Sequence, residues 1–331
     1  MIENENKIDF LAIGDIVIDA FIKLGDAEEL RNHGVLELCV RFGDKVPYES
    51  VTVLPAVGNS PNASVSASRL GLNVGLVSNI GDDKHGQDCL DALKKEGVKL
   101  DHIAIEKDKI TNYHYVLWHN TDRTILIKHT EFKYKLPALP EVSWMYLSSL
   151  AEHSLPYHLE IAEFLKNHPE TKLAFQPGTF QIKFGTEKLK EIYERTEVFF
   201  CNMEEAEKIL NMQEKDVLKL SKGIQALGPK IVVISDGPNG AYLYENGELW
   251  QMPIYPDIAP PLERTGAGDA FSSTFTSALA MGKTPLEALT WAPINSMSVV
   301  QYIGAQEGLL SKEKLEEYLK SAPADFIAKK I

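Results

Sequence analysis

Cysteine is scarce: three among 331 residues, Cys39, Cys89 and Cys201, far apart and in no C-x-x-C pair. That spacing excludes a disulfide framework and a thiolate zinc site, and suits a reducing compartment. No run of about 18 apolar residues is present to span a bilayer. Basic charge is scarce as well. Lys and Arg number 34 against 47 Asp and Glu, a formal charge of −13 with no basic run. Non-specific binding to nucleic acid or to an anionic membrane is thereby excluded. A site for an anionic ligand must be built locally, from backbone N–H groups, a few cations or a metal. The opening MIENENKIDF is polar and acidic and does not read as a signal peptide. The expectation is a cytoplasmic chain.

What is present is an ordinary globular balance, 44% hydrophobic and 24% charged, with ample material for a core. IDFLAIGDIVIDAFIKL opens as an apolar strand that breaks at Gly14, followed by mixed strand-like pieces such as VLELCV and VTVLPAV. NASVSASRLG reads as a helix stopped by Gly71, NVGLVSNIG as a buried strand, and HGQDCLDALKKEG as a helix ending at Gly97. Over residues 111–135, two aromatic and β-branched runs flank HNTDR, a hairpin signal. WMYLSSL, KLAFQ, EVFFC and KIVVIS then alternate with helical segments, and three helices follow from near Asp269, Pro285 and Ser311. This rhythm predicts an α/β fold: one doubly wound, mainly parallel sheet flanked by helices, spanning residues 1–331 as a single domain. Two excursions, about 20–55 and 110–135, supply a small β-sheet lid.

ERTGAGDAFSS carries the strongest chemical signal. After Asp269, the positions Phe271, Phe275, Ala278 and Leu279 keep helical spacing, so Gly266, Ala267 and Gly268 sit at a helix N-terminus. There the first N–H groups are unpaired and the dipole is positive, which suits an anion. A carboxylate beside such a hole can take a proton from an alcohol as its oxygen attacks phosphorus. From the loop alone, Asp269 reads either as that base or as a helix cap. The stretch is neither a Walker loop, because G-x-x-x-x-G-K-[ST] is absent, nor a dinucleotide fingerprint, because Phe271 stands where a third glycine is needed.

TGAGDAF resembles the second signature of the ribokinase-like, phosphofructokinase-B type sugar kinases. The resemblance implies that Asp269 is the catalytic base and that the Gly266–Gly268 amides form the anion hole. VGNSPNASVSASRLGLNVGLVSNIGDD is similar to another family signature, with Gly58, Asn62, Gly71 and Gly81 at matching places. By that likeness Gly58, Asn59 and Asn62 line the sugar pocket, although Asn62 also reads as a helix cap. In GDIVIDAF, Asp19 matches an acid that binds substrate hydroxyls, with Asp15 nearby. In CNMEEAEKIL, the N-x-x-E pair Asn202 and Glu205 matches the acid that holds magnesium through water. The same spacing is also close to a capping box. ISDGPNGAYLY looks like the segment that follows the ATP phosphates, implicating Ser235, Gly237 and Gly240. Asn295 is grouped with these nucleotide residues. All four motifs stand in family order across nearly the whole chain.

Two departures stand out. Glu263 and Arg264 replace the family's usual Asp and Thr before the loop, where relatives border a monovalent-cation site, so potassium activation is in question. Arg264 is expected either on the nucleotide phosphates or in solvent. Val57 stands where the family has a small residue. The hairpin carries Arg123, expected on a substrate phosphate, together with Tyr113, Tyr115, Trp118, His114, His119 and His129, read as structural. The function expected is transfer of the ATP γ-phosphate, with Mg2+, to a hydroxymethyl group of a sugar or sugar derivative, by a homodimer paired through its lid. A nucleoside kinase of the same fold and a catalytically silent sugar or nucleotide sensor are the alternatives. A nicotinamide dehydrogenase fits the alternation but lacks the phosphate fingerprint.

Overall fold

The computed structural model describes residues 7–120 and 122–331. Residues 1–6 of the acidic opening, and Thr121 in the HNTDR turn, lie outside the described residues. Strand β1 (Ile8–Ile13) is almost wholly apolar and buried, which suits the middle of a parallel sheet rather than an edge. The chain then runs through β2 (Val17–Leu24), the hairpin β3 (Glu28–Asn32) and β4 (Val35–Cys39), and β5 (Tyr48–Val57). It returns by α1 (Asn59–Arg69), β6 (Val74–Gly81), α2 (Lys84–Lys95) and β7 (Ile103–Glu106). A second excursion is β8 (Asn112–His119) and β9 (Asp122–Leu126). The next segment comprises β10 (Val142–Leu147), α3 (Leu155–Asn167), β11 (Lys172–Phe175), α4 (Thr179–Phe184) and α5 (Lys190–Arg195). It continues with β12 (Thr196–Asn202), α6 (Met203–Leu210), α7 (Val217–Gln225) and β13 (Ile231–Ser235). Last come β14 (Ala241–Glu245), β15 (Glu248–Met252), α8 (Ala267–Ala280), α9 (Pro285–Val299), α10 (Lys312–Lys320) and β16 (Lys329–Lys330).

One sheet holds ten strands in the order β16-β15-β14-β13-β12-β11-β10-β1-β6-β7. From β13 to β7 all neighbours are parallel, and β14 to β16 add an antiparallel edge. Strand alternation sorts the core onto two faces. Phe10, Tyr146 and Phe200 pack with α1, α8 and α9; Leu11, Met145 and Phe199 pack with α3, α5, α6 and α7. The expected doubly wound architecture is therefore present. The order reverses at β1 and β10, and a ligand crevice is expected beyond the carboxyl ends of strands at such a switch point. Asp15 follows β1, Gln176 follows β11, and Asn202 and Ser235 end β12 and β13.

A smaller mixed sheet has the order β5-β2-β8-β9, with β2 and β8 parallel and both outer pairs antiparallel. Its extent differs from the expected excursions. Pairing already begins at Val17, which meets both Val57 and Asn112, and strand structure ends at Leu126. Residues 127–141 form no strand or helix, and β3 and β4 pair only with each other. Among the described residues, no helix is long and apolar enough to cross a membrane.

Candidate active site

Helix α8 decides how Asp269 is used. Every residue from Asp269 to Ala278 is buried, so its hydroxyls turn inward to carbonyls, Thr276 to Ser272 O and Ser273 to Ala270 O. The residue at its N-cap is Gly266, with φ 80° and no side-chain cap. A Cβ there would run into Ala305, so both backbone and space require glycine. Asp269 stands three residues inside the helix, and its carboxylate accepts from side-chain amides instead of capping. Asn59 Nδ2 donates to Oδ1 at 2.7 Å, Asn62 Nδ2 to Oδ2 at 2.8 Å, and Gln176 Nε2 to Oδ1 at 3.3 Å. The cap reading of Asp269 fails. So does that of Asn62, because Gly58 holds the N-cap of α1.

Burial pushes the Asp269 carboxyl above the ordinary carboxylate range, and the three amides pull it partly back. Such a group is a stronger base than a solvated Asp while it remains ionised. Gln176 went unnoticed in the sequence. Its Oε1 accepts from the buried Tyr146 hydroxyl, which turns its NH2 toward Asp269. No spacing rule points to it, since it reaches Asp269 only through the packing of β10 beside β11.

The loop before α8 opens on a groove of about 370 Å³. Its lining combines apolar Tyr255, Pro293 and Met297 with Gly237, Gly240, Arg264, Ala267 and Gly268. A smaller cavity of about 150 Å³ shares Ser235, Gly268 and Phe271 with it and reaches Gln176, Asn202 and Glu205. The first N–H groups of α8 face no acceptor within the helix and form a ready anion site. Asn202 and Glu205 do form a complete capping box. Glu205 nonetheless lines the cavity, its carboxyl pushed up by burial first and by the Asp269 charge among lesser causes. Negative charge on the cavity wall at this point suits a cation. Among the described residues no group of three His, Cys, Asp or Glu is arranged to hold a metal. One carboxylate is nonetheless enough for magnesium, which keeps water and phosphate oxygens as ligands.

Asn295 corrects an expectation. It is fully buried, its amide donating to Thr274 Oγ1 at 2.8 Å and its oxygen accepting from Leu310 N at 2.9 Å. It ties α9 to α8 inside the core and is absent from the groove lining. Asn59 and Asn62 were expected on substrate hydroxyls, yet their amides hold Asp269; Asn62 Oδ1 is further occupied by Gln306 Nε2. Glu263 is buried, with Oε1 accepting from Gly304 N at 2.8 Å and Oε2 from Thr265 N at 2.7 Å.

Toward the small sheet, Gly58 (φ 115°) packs so closely on the Asp15 carbonyl that a Cβ would stand 2.8 Å from it. Asp15 and Asp19 are both buried. His114 and His129, read from sequence as structural, lie 3.5 Å from Asp19 and Asp15 respectively. Arg123 is on the same inner face as Trp118, opposite it on β9.

Fold and site together define a phosphotransferase of the doubly wound class. The pfkB family carbohydrate kinase model matches residues 32–312. Ribokinase of Bacillus subtilis is 27% identical over 307 residues, covering 88% of this chain and 100% of the relative. Fructoselysine 6-kinase of Escherichia coli K12 is 26% identical over 252 residues, 75% of this chain and 90% of the relative. Ribokinase of Arabidopsis thaliana, solved with ribose and ATP, superposes with TM-score 0.76 at 19% identity over 95% of this chain and 99% of that one. The chain belongs to the pfkB family of carbohydrate kinases and is an ATP-dependent kinase.

Proposed function

We propose that the protein transfers the γ-phosphate of ATP to a hydroxymethyl group of a sugar or sugar derivative. The observation that carries this reading is the Asp269 carboxylate, held by three amides at the N-terminus of α8, between the long groove and the Asp15–Asp19 side. In this reading the adenine end lies on Tyr255, Pro293 and Met297, and the phosphates run past Gly237, Gly240 and Arg264 to the Ala267 and Gly268 amides. Asp269 removes the proton from the acceptor hydroxyl. Asn59, Asn62 and Gln176 fix the carboxylate's direction. A magnesium ion held through water by Glu205 would supply positive charge beside the phosphates. The small sheet acts as a lid over the acceptor and excludes water, which would otherwise compete for the phosphoryl group.

The test is ATP consumption by the full chain against panels of sugars and nucleosides. Sugar-dependent ADP release is expected, with Asp269→Asn lowering kcat by about 10²–10⁴ while substrate Kd changes little. Turnover confined to nucleosides would move the acceptor to that class. Binding without turnover would make the protein a sensor.

A further inference from the structure

One side-chain amide that no sequence motif includes stands behind two of the donors on Asp269. Gln306 lies in the loop between α9 and α10, and its NH2 group is spent twice: Nε2 donates to Ala56 O at 2.7 Å and to Asn62 Oδ1 at 3.0 Å. The Ala56 carbonyl only accepts, so it fixes which end of the Gln306 amide carries the hydrogens. That NH2 in turn takes the oxygen of Asn62, and the Asn62 nitrogen is left facing Asp269, donating to Oδ2 at 2.8 Å. Polarity is thus set from a main-chain carbonyl to the carboxylate, with no free choice at either amide. Ala56 is itself strained, buried with φ 57°, a left-handed backbone that a non-glycine residue keeps only when its surroundings hold it. Cys89 Sγ accepts from its N–H at 3.2 Å, and Gln306 holds its carbonyl. Shortly after it in the chain, Asn59 donates to the other oxygen, Asp269 Oδ1, at 2.7 Å.

Gln306 is also held from behind. Gly304 N donates to the buried Glu263 Oε1 at 2.8 Å. Arg69 Nη1 donates to the carbonyls of Gln306 and Leu309 at 2.7 and 2.8 Å, while its Nε and Nη2 grip the Glu96 carboxylate at 2.8 and 2.9 Å. With its backbone clamped on both sides, the amide meets Ala56 and Asn62 already oriented. We propose that Gln306 is a positioning residue for phosphoryl transfer: it selects the end that Asn62 presents to Asp269 and so keeps an N–H against the carboxylate. Turned over, Asn62 would set its oxygen beside a buried negative charge, losing the bond and adding repulsion. Gln306 lines neither the groove nor the smaller cavity, so it acts through Asn62 and not on the nucleotide. Burial raises the Asp269 pKa and the Asn62 amide is the foremost group that lowers it. Loss of Gln306 therefore raises that pKa further.

The role rests on the reading of Asp269 as the base, and a titration that needs no turnover separates the two. The Asp269 carboxyl is followed by carbon NMR in the full chain, labelled at the aspartate carboxyl carbons, its signal assigned by its loss in Asp269→Asn. Gln306→Met keeps the length and removes the donor; Gln306→Glu keeps the shape and turns donor into acceptor. In both variants, folded by circular dichroism, the Asp269 titration should move up by about one pH unit, the worth of roughly one hydrogen bond. With the best sugar of the panel, kcat should fall about tenfold while KM for ATP and for the sugar holds within about twofold. In an Asn62→Ala background, Gln306→Met should lower kcat by less than about twofold further, because the two amides act as one unit. The proposal is overturned if Gln306→Met leaves the Asp269 titration in place, or if its effect adds in full to that of Asn62→Ala. A shift in Gln306→Glu alone overturns it too, since the introduced charge then suffices. Should Asp269→Asn keep wild-type turnover while the titration still moves, the base reading fails and the hold of Gln306 on the carboxylate stands.

Discussion

The side-chain amide of Asn62 donates to Oδ2 of Asp269 at 2.8 Å, joining residues 207 positions apart. Because Gln306 Nε2 occupies the Asn62 oxygen, the amide cannot turn over without losing both bonds. In the proposed function this contact tunes the base. Burial raises the Asp269 pKa and the amides of Asn62, Asn59 and Gln176 lower it. A base works only when ionised, so kcat should fall as pH drops through that raised value, above the ordinary range for Asp. Asn62→Ala removes one lowering contact, and the acid limb of the pH–kcat profile should move to higher pH. An unmoved limb with reduced kcat would mean that Asn62 only positions the carboxylate.

Glu205 caps α6 and, in the proposed function, also holds magnesium through water; one substitution separates the two. Glu205→Gln preserves the capping box, which accepts either residue at that position, so Tm should stay within about 2 °C. The magnesium concentration needed for half-maximal activity should rise roughly tenfold, as for other outer ligands of a metal. Because burial raises the Glu205 pKa, protons compete with the metal, and wild-type activation by magnesium should weaken as pH falls through that raised value. An unchanged magnesium requirement in the Gln variant would instead mark Glu205 as a helix cap alone.

What was legible in the sequence was local. The glycine loop, the N-x-x-E pair and the alternation of strand and helix each lie within about a dozen residues, where spacing encodes geometry directly. Gln176 was not legible as a neighbour of Asp269, because distant segments bring the two together and nothing in the neighbourhood of Gln176 marks the meeting point. Asn295 was misplaced for a related reason. Helix α9 is buried on nearly all sides, so no polar stripe told a core-facing Asn from a groove-facing one. The small sheet was found but its limits were not, since β2 continues almost directly from β1 with no turn-rich break between them.

Glu263 bridges the loop before α8 to Gly304 through two backbone amides. Both carboxylate oxygens of Glu263 are already engaged by N–H donors in a buried position, which leaves them poorly placed to ligate a monovalent cation. Turnover should therefore be equal within about twofold in potassium and sodium buffers of matched ionic strength. Glu263→Ala orphans both amides and should cost about 1–3 kcal/mol of stability, read by denaturant unfolding. Strong activation by potassium in the wild type would show that the longer side chain leaves a cation site intact.

The outer face of the small sheet is where the homodimer expected from the sequence would pair. Val53, Tyr115 and Leu126 share that face and are each about half exposed, and Phe42 beyond the β3–β4 hairpin is fully exposed. An apolar sheet face of this kind is a contact surface or an aggregation hazard. Pairing of two such sheets would cover both copies at once and brace the inner face, which carries Asp19 and His114, against the acceptor. Sedimentation should show a homodimer, and Tyr115→Glu or Val53→Lys should weaken it by roughly thirtyfold or more. If bracing is what the dimer contributes, KM for the acceptor rises in those variants while KM for ATP holds, because the groove at Tyr255 and Met297 lies on the large sheet. A monomer with wild-type kinetics would leave the exposed face without a role in catalysis.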